Sequence, residues 1–495
     1  MSSWMKALSD HYEEIRERYP QDRLIILFDI DGTILDARHM ILHTLRSYEE
    51  RHGTAYFPGL TLGKINFHEN MIGKWLERNC LPQDVQTGII NWCEEHYWST
   101  EAIMASHHPF TGVMEVIRWF QIQPNTAVGL NTGRPEALRR DTLRSLNRLG
   151  EEYRVEFFSE QLHMSPYGWG EKIISAKIEG IGFFQRRGFR VFAFVDNEPE
   201  NLKAVAEVDD TGEILLLHAD TVFASKREKL PANSFSGKAY DIAELAQEKS
   251  LPMHVQFVWH GVNDEANLRQ FTASSVQWAE CEARMDMSGG KVILRHDSFE
   301  EIPAMRSERF FYLDDVLTAV AMAGKKIKID LKENGRLIDQ VLDLLAIHPP
   351  NDGQVWFNGK VEILREEGYR RLADSYPEAI IQCPIDFLVP LIIGVPQKAL
   401  GILDMLQDWG LNRFSIKWKT PRLRQIMDKM DRWGLEVNIY NVPDLEEFLR
   451  AVLLLPRSIT SDFNFPAWRY FGCGAGEKLQ YDRFSGHQYQ HEASY

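Results

Sequence analysis

A short apolar strand near the N-terminus ends in two aspartates. The segment RLIILFDIDGTILD, residues 23–36, carries Asp29 and Asp31 two positions apart, followed by a glycine turn. Alternate residues of a strand point to the same side, so both carboxylates face one site. One carboxylate can attack phosphorus to form an aspartyl-phosphate, and the second can protonate the leaving oxygen and later activate water. The pair predicts a phosphatase that needs Mg²⁺ to hold two acids beside an anionic substrate.

Three side chains that follow later strands complete this site. The segment GLNTGRP places Thr132 at the end of a second strand, where its hydroxyl can bond a phosphoryl oxygen. The segment RVFAFVDNEPENL places Asp196 and Glu200 beyond a third strand, where both can complete the metal site. An Asp-Gly pair alone is more often a simple turn, so the prediction depends on these companions.

These ordered motifs resemble the haloacid dehalogenase superfamily, in its aspartate-based phosphatase branch, over roughly residues 20–245. The resemblance implies that Asp29 is the nucleophile, Asp31 the acid/base and Thr132 a phosphate-binding residue. It also implies that Asp196 and Glu200 hold Mg²⁺, directly or through water, with Asp29 and Asp31 at the same metal site.

The same resemblance implies a lysine that neutralises the developing charge. Lys172 and Lys177 are both available, and Lys172 is favoured because it opens the helix that precedes the third strand. A helical insertion at about residues 37–110 matches the cap that selects substrate in this family. The cap's own specificity is not evident from its residues.

Carboxylates and lysines occupy strand ends in the second half. The segment SVQWAECEA carries Glu280 and Glu282, and KKIKIDLK carries Lys328, Asp330 and Lys332 on one face, where a half-buried strand normally shows apolar residues. Charges that face a core are costly unless they are paired or bind something. Glu280, Glu282 and Asp330 therefore predict a hard oxygen site for Mg²⁺ or Ca²⁺.

Two histidines accompany these carboxylates. His260 ends the strand HVQFVWHG, and His296 ends the extended run KVILRHD. Placed on opposite sides of a phosphodiester, they could serve as nucleophile or base and as general acid, with Lys332 stabilising phosphate oxygens. A lone histidine is usually structural, so joint placement at strand ends is what favours catalysis.

This half resembles the glycerophosphodiester phosphodiesterase superfamily over nearly all of residues 251–480, on the stretches ECEARMDMSGGKVILRHD, VNIYNVPDLEEF and SITSDFNFP. His260-Gly261 stands where that family has His-Arg, the family's E-x-D is E-x-E here, and Tyr440 replaces an expected Trp. The segment IDLK is closer to venom phospholipase-D and menorin-like relatives, whose chemistry includes both hydrolysis and internal attack. Plausible pocket-lining residues are Asn358, Gln382, Lys417 and Asp462.

Alternating strands and helices must position these residues, which predicts an α/β protein with parallel strands. The predicted domains are a haloacid dehalogenase-type, Rossmann-like domain over residues 1–248 and a (β/α)8 TIM barrel over residues 249–495. The first has strands at Leu24–Asp29, Ala127–Thr132, Arg190–Asp196 and Ile214–His218. The second has eight strand candidates in about 240 residues, and such a barrel carries its active site at the carboxyl ends of its strands.

Composition narrows the partners. The 495 residues include 44% hydrophobic residues, enough for full cores, and the formal net charge is -15 without a long basic run. Nucleic acid is disfavoured because phosphate-backbone binding needs clustered cations, whereas small phosphorylated substrates remain possible. The N-terminus does not resemble a signal peptide and no apolar stretch could span a membrane, so a cytoplasmic location is expected. The oligomeric state stays open.

The leading hypothesis is a bifunctional phosphohydrolase, in which the barrel opens a phosphodiester and the first domain removes phosphate from a monoester. An alternative keeps the phosphatase and makes the barrel an inactive module that binds phosphorylated headgroups. A non-enzymatic scaffold would leave two independent acidic constellations unexplained.

Overall fold

The computed structural model describes residues 3–168, 172–221, 229–304, 309–350 and 354–461. Contacts divide the chain into two compact units between Ser250 and Leu251. Asp462, expected to line a pocket, lies outside the described residues. None of the described helices combines the length and apolar character that crossing a membrane requires.

The N-terminal unit is built on a six-stranded parallel sheet with the order β3-β2-β1-β4-β5-β6. Its strands are β1 (Arg23–Phe28), β2 (Thr126–Pro135), β3 (Leu162–Ser165), β4 (Phe189–Asp196), β5 (Leu215–Ala219) and β6 (Ser234–Gly237). Five of the six residues of β1 are buried, as expected for a strand covered on both faces. The strand order reverses beside β1, and ligands of such sheets bind in the crevice outside the strand ends at this point.

The described residues of this unit form ten α-helices: α1 (Trp4–Arg18), α2 (Ala37–His52), α3 (Ile72–Arg78), α4 (Gln83–His96), α5 (Thr100–Ser106), α6 (Val113–Gln121), α7 (Arg139–Gly150), α8 (Ile173–Arg186), α9 (Pro199–Val208) and α10 (Ile242–Leu245). Helices α2 to α5 lie between β1 and β2 in the chain, where the cap is predicted. They enclose an apolar core of their own, which includes Ile41, Leu45, Leu76 and Ile89. The insertion therefore has a core separate from that of the sheet.

The C-terminal unit is a closed barrel of eight parallel strands, as the eight strand candidates predict. Its strands are β7 (Gln256–Trp259), β8 (Trp278–Met285), β11 (Lys326–Leu331), β12 (Val355–Asn358), β13 (Ile380–Pro384), β14 (Arg413–Lys417), β15 (Glu436–Val442) and β16 (Ser458–Ser461). Pairing of β7 with both β16 and β8 closes the ring. Two short strands, β9 (Val292–Leu294) and β10 (Phe311–Tyr312), extend antiparallel from β8.

Helices follow the barrel strands in the pattern of a TIM barrel. They are α11 (Glu265–Ala273), α12 (Leu313–Met322), α13 (Arg336–Ile347), α14 (Val361–Ser375), α15 (Val389–Gly394), α16 (Pro396–Asp408), α17 (Leu423–Arg432) and α18 (Leu445–Leu453). The fold class is thus the predicted one, a helix-covered parallel sheet followed by a (β/α)8 barrel.

Candidate active sites

The turn after β1 directs two aspartates into one site. The backbone N–H of Asp29 donates to the carbonyl of Val195 on β4 at 2.9 Å, which fixes the end of the strand. Gly32 has a φ of +79°, and a Cβ there would lie 2.6 Å from the amide nitrogen of Asn197. Only glycine suits a left-handed residue this close to a neighbouring side chain. The local geometry therefore requires glycine at position 32, within the DGT turn.

Lys177 contacts the expected nucleophile. Its ammonium donates to Asp29 and pairs with Asp196 at 2.8 Å, and it also donates to the carbonyl of Asn131 at 2.8 Å. Asp196 is fully buried and accepts further hydrogen bonds from Asn201 and from the backbone N–H of Glu198. Burial raises the pKa of Asp29, and the charge of Lys177 opposes this shift. The carboxylates of β1 and β4 are thus joined through one buried lysine.

The sequence analysis favoured Lys172 as the lysine of this site, but the residue that contacts Asp29 in the structure is Lys177. Lys172 caps the start of α8 in a left-handed conformation and is exposed. Its ammonium lies 5.0 Å from the ring centroid of Tyr167. Lys177 lies more than one turn further along α8, on the side that faces the sheet, and is 1% exposed. A residue that opens α8 lies at the end of the helix. The site instead needs a side chain that reaches from within the helix to the ends of the strands.

Arg134 is a site residue that the sequence analysis missed. Its guanidinium is completely buried and donates to both oxygens of Asp31, at 2.6 and 2.7 Å. Burial opposes ionisation of Asp31, but the charge and hydrogen bonds of Arg134 outweigh burial and lower the pKa of Asp31. Arg134 also donates to Thr142 at 3.0 Å and lies 4.8 Å from the ring centroid of Trp98. Asp31 is therefore held in place as a carboxylate.

A buried histidine supports this arginine. His107 Nε2 lies 3.2 Å from Arg134, and its Nδ1 lies 2.7 Å from the hydroxyl of Ser145. Burial, helped by the charge of Arg134, lowers the pKa of His107 to about 3. His107 is thus neutral at ordinary pH and can accept the hydrogen bond that Arg134 offers.

A cavity of about 600 Å³ lies above these residues and is lined by both the sheet and the cap. Asp29, Asp31, Thr132, Lys177 and Glu200 all line it. The hydroxyl of Thr132 accepts from the backbone N–H of Arg134 at 3.2 Å. Glu200 lies in the first turn of α9 and is exposed at the rim. The residues predicted for the site of the N-terminal unit therefore line one cavity, with two exceptions. Lys172 is not part of the lining, and the fully buried Asp196 lies beneath the cavity.

The donor set of this site suits a hard divalent cation. Asp29 and Asp196 contribute carboxylates from adjacent strand ends, Glu200 lines the rim, and both oxygens of Asp31 are engaged by Arg134. Among the described residues, no group of three or more His, Cys, Asp and Glu side chains is already arranged as a metal cage. These four carboxylates are balanced by only two cations, Lys177 and Arg134, so a bound phosphate would add to an excess of negative charge that Mg²⁺ could offset.

The barrel has a second polar site, centred on Glu282. His260 Nε2 and His296 Nε2 each lie 3.8 Å from the same oxygen of Glu282. The two imidazoles therefore lie no farther apart than twice that distance. Lys332 bridges Glu282 at 3.2 Å and Asp330 at 2.7 Å. Burial would raise the pKa of Glu282, but the charge of Lys332 and contacts with the two histidines outweigh it and lower the pKa.

Two further residues orient this site and were not assigned from the sequence. Asn263 donates to Glu282 at 2.6 Å and accepts from its backbone N–H at 2.9 Å. Asp297 lies 2.6 Å from Nδ1 of His296, which directs Nε2 towards Glu282. Both were within reach of sequence reasoning, because each directly follows or lies near a histidine that was selected.

Glu280 lies one layer deeper in the barrel. One oxygen pairs with the buried Lys328 at 3.2 Å, and the other is buried with no hydrogen-bond partner among the described residues. A buried carboxylate oxygen without a partner is costly unless a ligand completes it. Glu280, Glu282 and Asp330 are oxygen donors of the type that Mg²⁺ or Ca²⁺ prefers, but in this structure they pair with Lys328 and Lys332 and are not arranged as a metal cage.

The expected pocket-lining residues divide into two kinds. Asn358 donates to Asp330 at 2.7 Å, and Gln382 donates to Asn358 at 2.8 Å, which extends the polar network around the barrel. Lys417 is exposed at the end of β14, and its backbone N–H donates to Asp386 at 3.1 Å. The network therefore includes the first two and not the side chain of Lys417.

Two groups of solved structures resemble this chain. A phosphodiesterase from Oleispira antarctica, solved with the product sn-glycerol-3-phosphate, is 14% identical and matches 45% of this chain and 98% of its own, with a TM-score of 0.35. A glycerophosphodiester phosphodiesterase from Parabacteroides distasonis is 11% identical, with coverages of 45% and 98% and a TM-score of 0.35. A haloacid dehalogenase-like hydrolase from Streptococcus pneumoniae is 14% identical, with coverages of 43% and 94% and a TM-score of 0.30.

No protein-family model matches the sequence, and comparison with curated proteins gave no match. Each of the three structures covers less than half of this chain. Function therefore depends on the site residues themselves.

Proposed function

We propose that the N-terminal unit hydrolyses phosphomonoesters through an aspartyl-phosphate on Asp29, and that the barrel cleaves phosphodiesters. The observation that carries the first activity is the contact of Asp29 with Lys177 at the floor of a cavity that Thr132 also lines. A nucleophilic carboxylate beside a buried cation and a hydroxyl donor is suited to attack on a phosphoryl group.

In the first step, an oxygen of Asp29 bonds to phosphorus as the bond to the ester oxygen breaks, and the leaving oxygen takes a proton from solvent. Lys177 and Thr132 face the phosphoryl oxygens, where the ammonium offsets their charge and the hydroxyl can donate. In the second step, water attacks phosphorus, Asp31 accepts the water proton, and inorganic phosphate leaves while Asp29 is regenerated. Mg²⁺ held by Asp29, Asp196 and Glu200 would supply charge neutralisation for the nucleophile and substrate.

For the barrel, the carrying observation is the pair of imidazoles whose Nε2 atoms each lie 3.8 Å from the same oxygen of Glu282. One imidazole would take the proton of the attacking hydroxyl and the other would protonate the leaving oxygen. His296 is oriented for such a role by Asp297, and Lys332 is close enough to stabilise phosphate oxygens. Water or a hydroxyl of the substrate itself would serve as nucleophile, and a metal at Glu280, Glu282 and Asp330 would supply Lewis acidity.

The two activities are tested by crossed variants of the full chain. Asp29→Asn should abolish phosphate release from p-nitrophenyl phosphate, with the exposed Asp210→Asn as the matched control. His260→Ala and His296→Ala should each lower turnover of bis(p-nitrophenyl) phosphate by about 10²- to 10⁴-fold. The exposed His254→Ala serves as their control.

If the sites act in sequence, the Asp29→Asn chain should accumulate the monoester from the diester. Persistence of both activities without accumulation would show that the steps are unrelated. Unchanged diester turnover in both histidine variants would refute the barrel's catalytic role and favour a headgroup-binding module. Normal phosphate release by Asp29→Asn would refute the aspartyl-phosphate mechanism.

A further inference from the structure

The cap presents two cations to the cavity above Asp29. Lys74 and Arg78 lie one turn apart on α3, and both line the cavity. Side chains four residues apart project from the same side of a helix. Both are exposed, and neither forms an ion pair with any described residue.

Two other cationic side chains of the cap, both arginines, are paired with carboxylates. Arg38 pairs with Asp36 at 2.6 Å, and Arg46 pairs with Glu49 at 2.8 Å. The two cations of α3 differ from these because they face the cavity and retain their hydrogen-bonding capacity. Their charges are therefore available to a ligand.

Aromatic packing holds α3 in this orientation. Trp75, between the two cations, stacks on Phe67 with ring centroids 4.9 Å apart and packs against Phe57 at 5.4 Å. Trp75 and Phe67 also line the cavity. A helix fixed by rigid rings presents its charged side chains from a stable base.

The charged side chains at the floor of the cavity already form ion pairs with one another. Lys177 pairs with both Asp29 and Asp196, and Arg134 pairs with Asp31. The reacting phosphoryl group would lie at this floor, so the cap cations are available for a different part of the substrate.

Three glutamates also line the cavity and are potential ion-pair partners of Lys74 and Arg78. They are Glu69 of the cap and Glu198 and Glu200 of the sheet side. Glu198 lies 3.8 Å from His68, and none of the three glutamates pairs with Lys74 or Arg78. An added anion would therefore meet two cations that no carboxylate of the described chain has neutralised.

We propose that Lys74 and Arg78 bind a second anionic group of the substrate. The substrate class is then a phosphomonoester whose organic part carries an additional phosphate or carboxylate. A volume of about 600 Å³ is ample for such a molecule, because small-molecule sites commonly span about 300–1,000 Å³. This assignment rests on the proposed phosphatase function and names its substrate class.

The test compares matched monoesters on the full chain with Mg²⁺. Fructose 1,6-bisphosphate is paired with fructose 6-phosphate, and 3-phosphoglycerate with glycerol 3-phosphate, so that each pair differs in a second anion. The double variant Lys74→Ala/Arg78→Ala should lower kcat/KM for the ester that carries the second anionic group by about 10- to 100-fold, mainly through KM. The change for the ester that lacks this group should be much smaller. The double variant Arg51→Ala/Lys64→Ala, which removes two exposed cap cations outside the cavity lining, is the charge-matched control.

A preference within the first pair identifies phosphate as the second anion, and a preference within the second pair identifies carboxylate. Absence of preference in both pairs, or an equal loss for both members, overturns the assignment. Calorimetric binding of the same four esters to Asp29→Asn chains, with and without the double substitution, gives a readout that needs no turnover. Absence of phosphate release from all four esters by the unsubstituted chain with Mg²⁺ would refute the phosphatase instead, while a binding preference that the double variant removes would still support the cation site.

Discussion

Replacing Lys177 by methionine should both destabilise the N-terminal unit and stop its catalysis. The ammonium is 2% exposed and lies between Asp29 and the fully buried Asp196, 2.8 Å from the latter. At an effective dielectric constant of about 20, one such pair has a Coulomb energy of about 6 kcal/mol, most of which desolvation offsets. Removing one partner of a buried pair leaves uncompensated charge and costs about 3–5 kcal/mol.

For a unit of this size, that loss corresponds to a fall in Tm of roughly 6–20 °C. Calorimetry of the full chain in EDTA would measure it, and one transition should move while the transition of the barrel stays in place. The control is Lys172→Met, five residues earlier and exposed, which should leave Tm within about 2 °C. Equal effects of the two substitutions, or an unchanged Tm for Lys177→Met, would refute the claim that Lys177 alone neutralises the buried carboxylates.

Three further outcomes are expected. His107 has its pKa lowered to about 3 by burial and by Arg134, so the unfolded chain binds a proton between about pH 6.5 and 3 that the folded chain does not. The free energy of unfolding therefore falls on acidification through this window. Between pH 7 and pH 4, measured by urea unfolding, it should fall less for His107→Gln than for the unsubstituted chain; an identical fall would contradict the shifted pKa of His107. Gly32→Ala should cost more stability than Gly53→Ala, because both residues have positive φ but only the first would place a Cβ against Asn197; equal costs in urea unfolding would contradict the close approach. EDTA should stop phosphate release from p-nitrophenyl phosphate and added Mg²⁺ should restore it, whereas release in EDTA would contradict a metal at the first site.

Much of the N-terminal site follows from strand periodicity. Asp29 and Asp31 follow β1, and Asp196 ends β4, in a parallel sheet whose carboxyl ends meet at one edge. Thr132 was predicted to end its strand and lies instead three residues before the end of β2. Arg134 was missed because the second strand was predicted to end at Thr132. Strand β2 continues to Pro135, so alternate residues share a face, and this two-residue spacing could have identified the arginine.

The choice between two lysines depended on information that sequence spacing does not contain. Lys172 and Lys177 flank the start of the same helix, and either can precede β4 by one helix. Which of them reaches Asp29 depends on the rotation of α8 against the sheet. That rotation is set by packing of residues such as Ile181 and Phe184 in the core, over distances that local patterns do not encode.

Register explains why the charged residues of the barrel form two layers. Lys328 lies opposite Glu280, and Asp330 lies opposite Glu282, in the parallel pairing of β11 with β8. Alternation alone predicts that all these charges face inward, but it does not say which are buried and which lie at the open end. Lys328 is 1% exposed and pairs with Glu280, whereas the side chain of Lys332 is 16% exposed and reaches Glu282 and Asp330. Glu280 and Lys328 therefore lie beneath the outer layer, and the outer layer, nearer the histidines, is the part that a phosphodiester can reach directly.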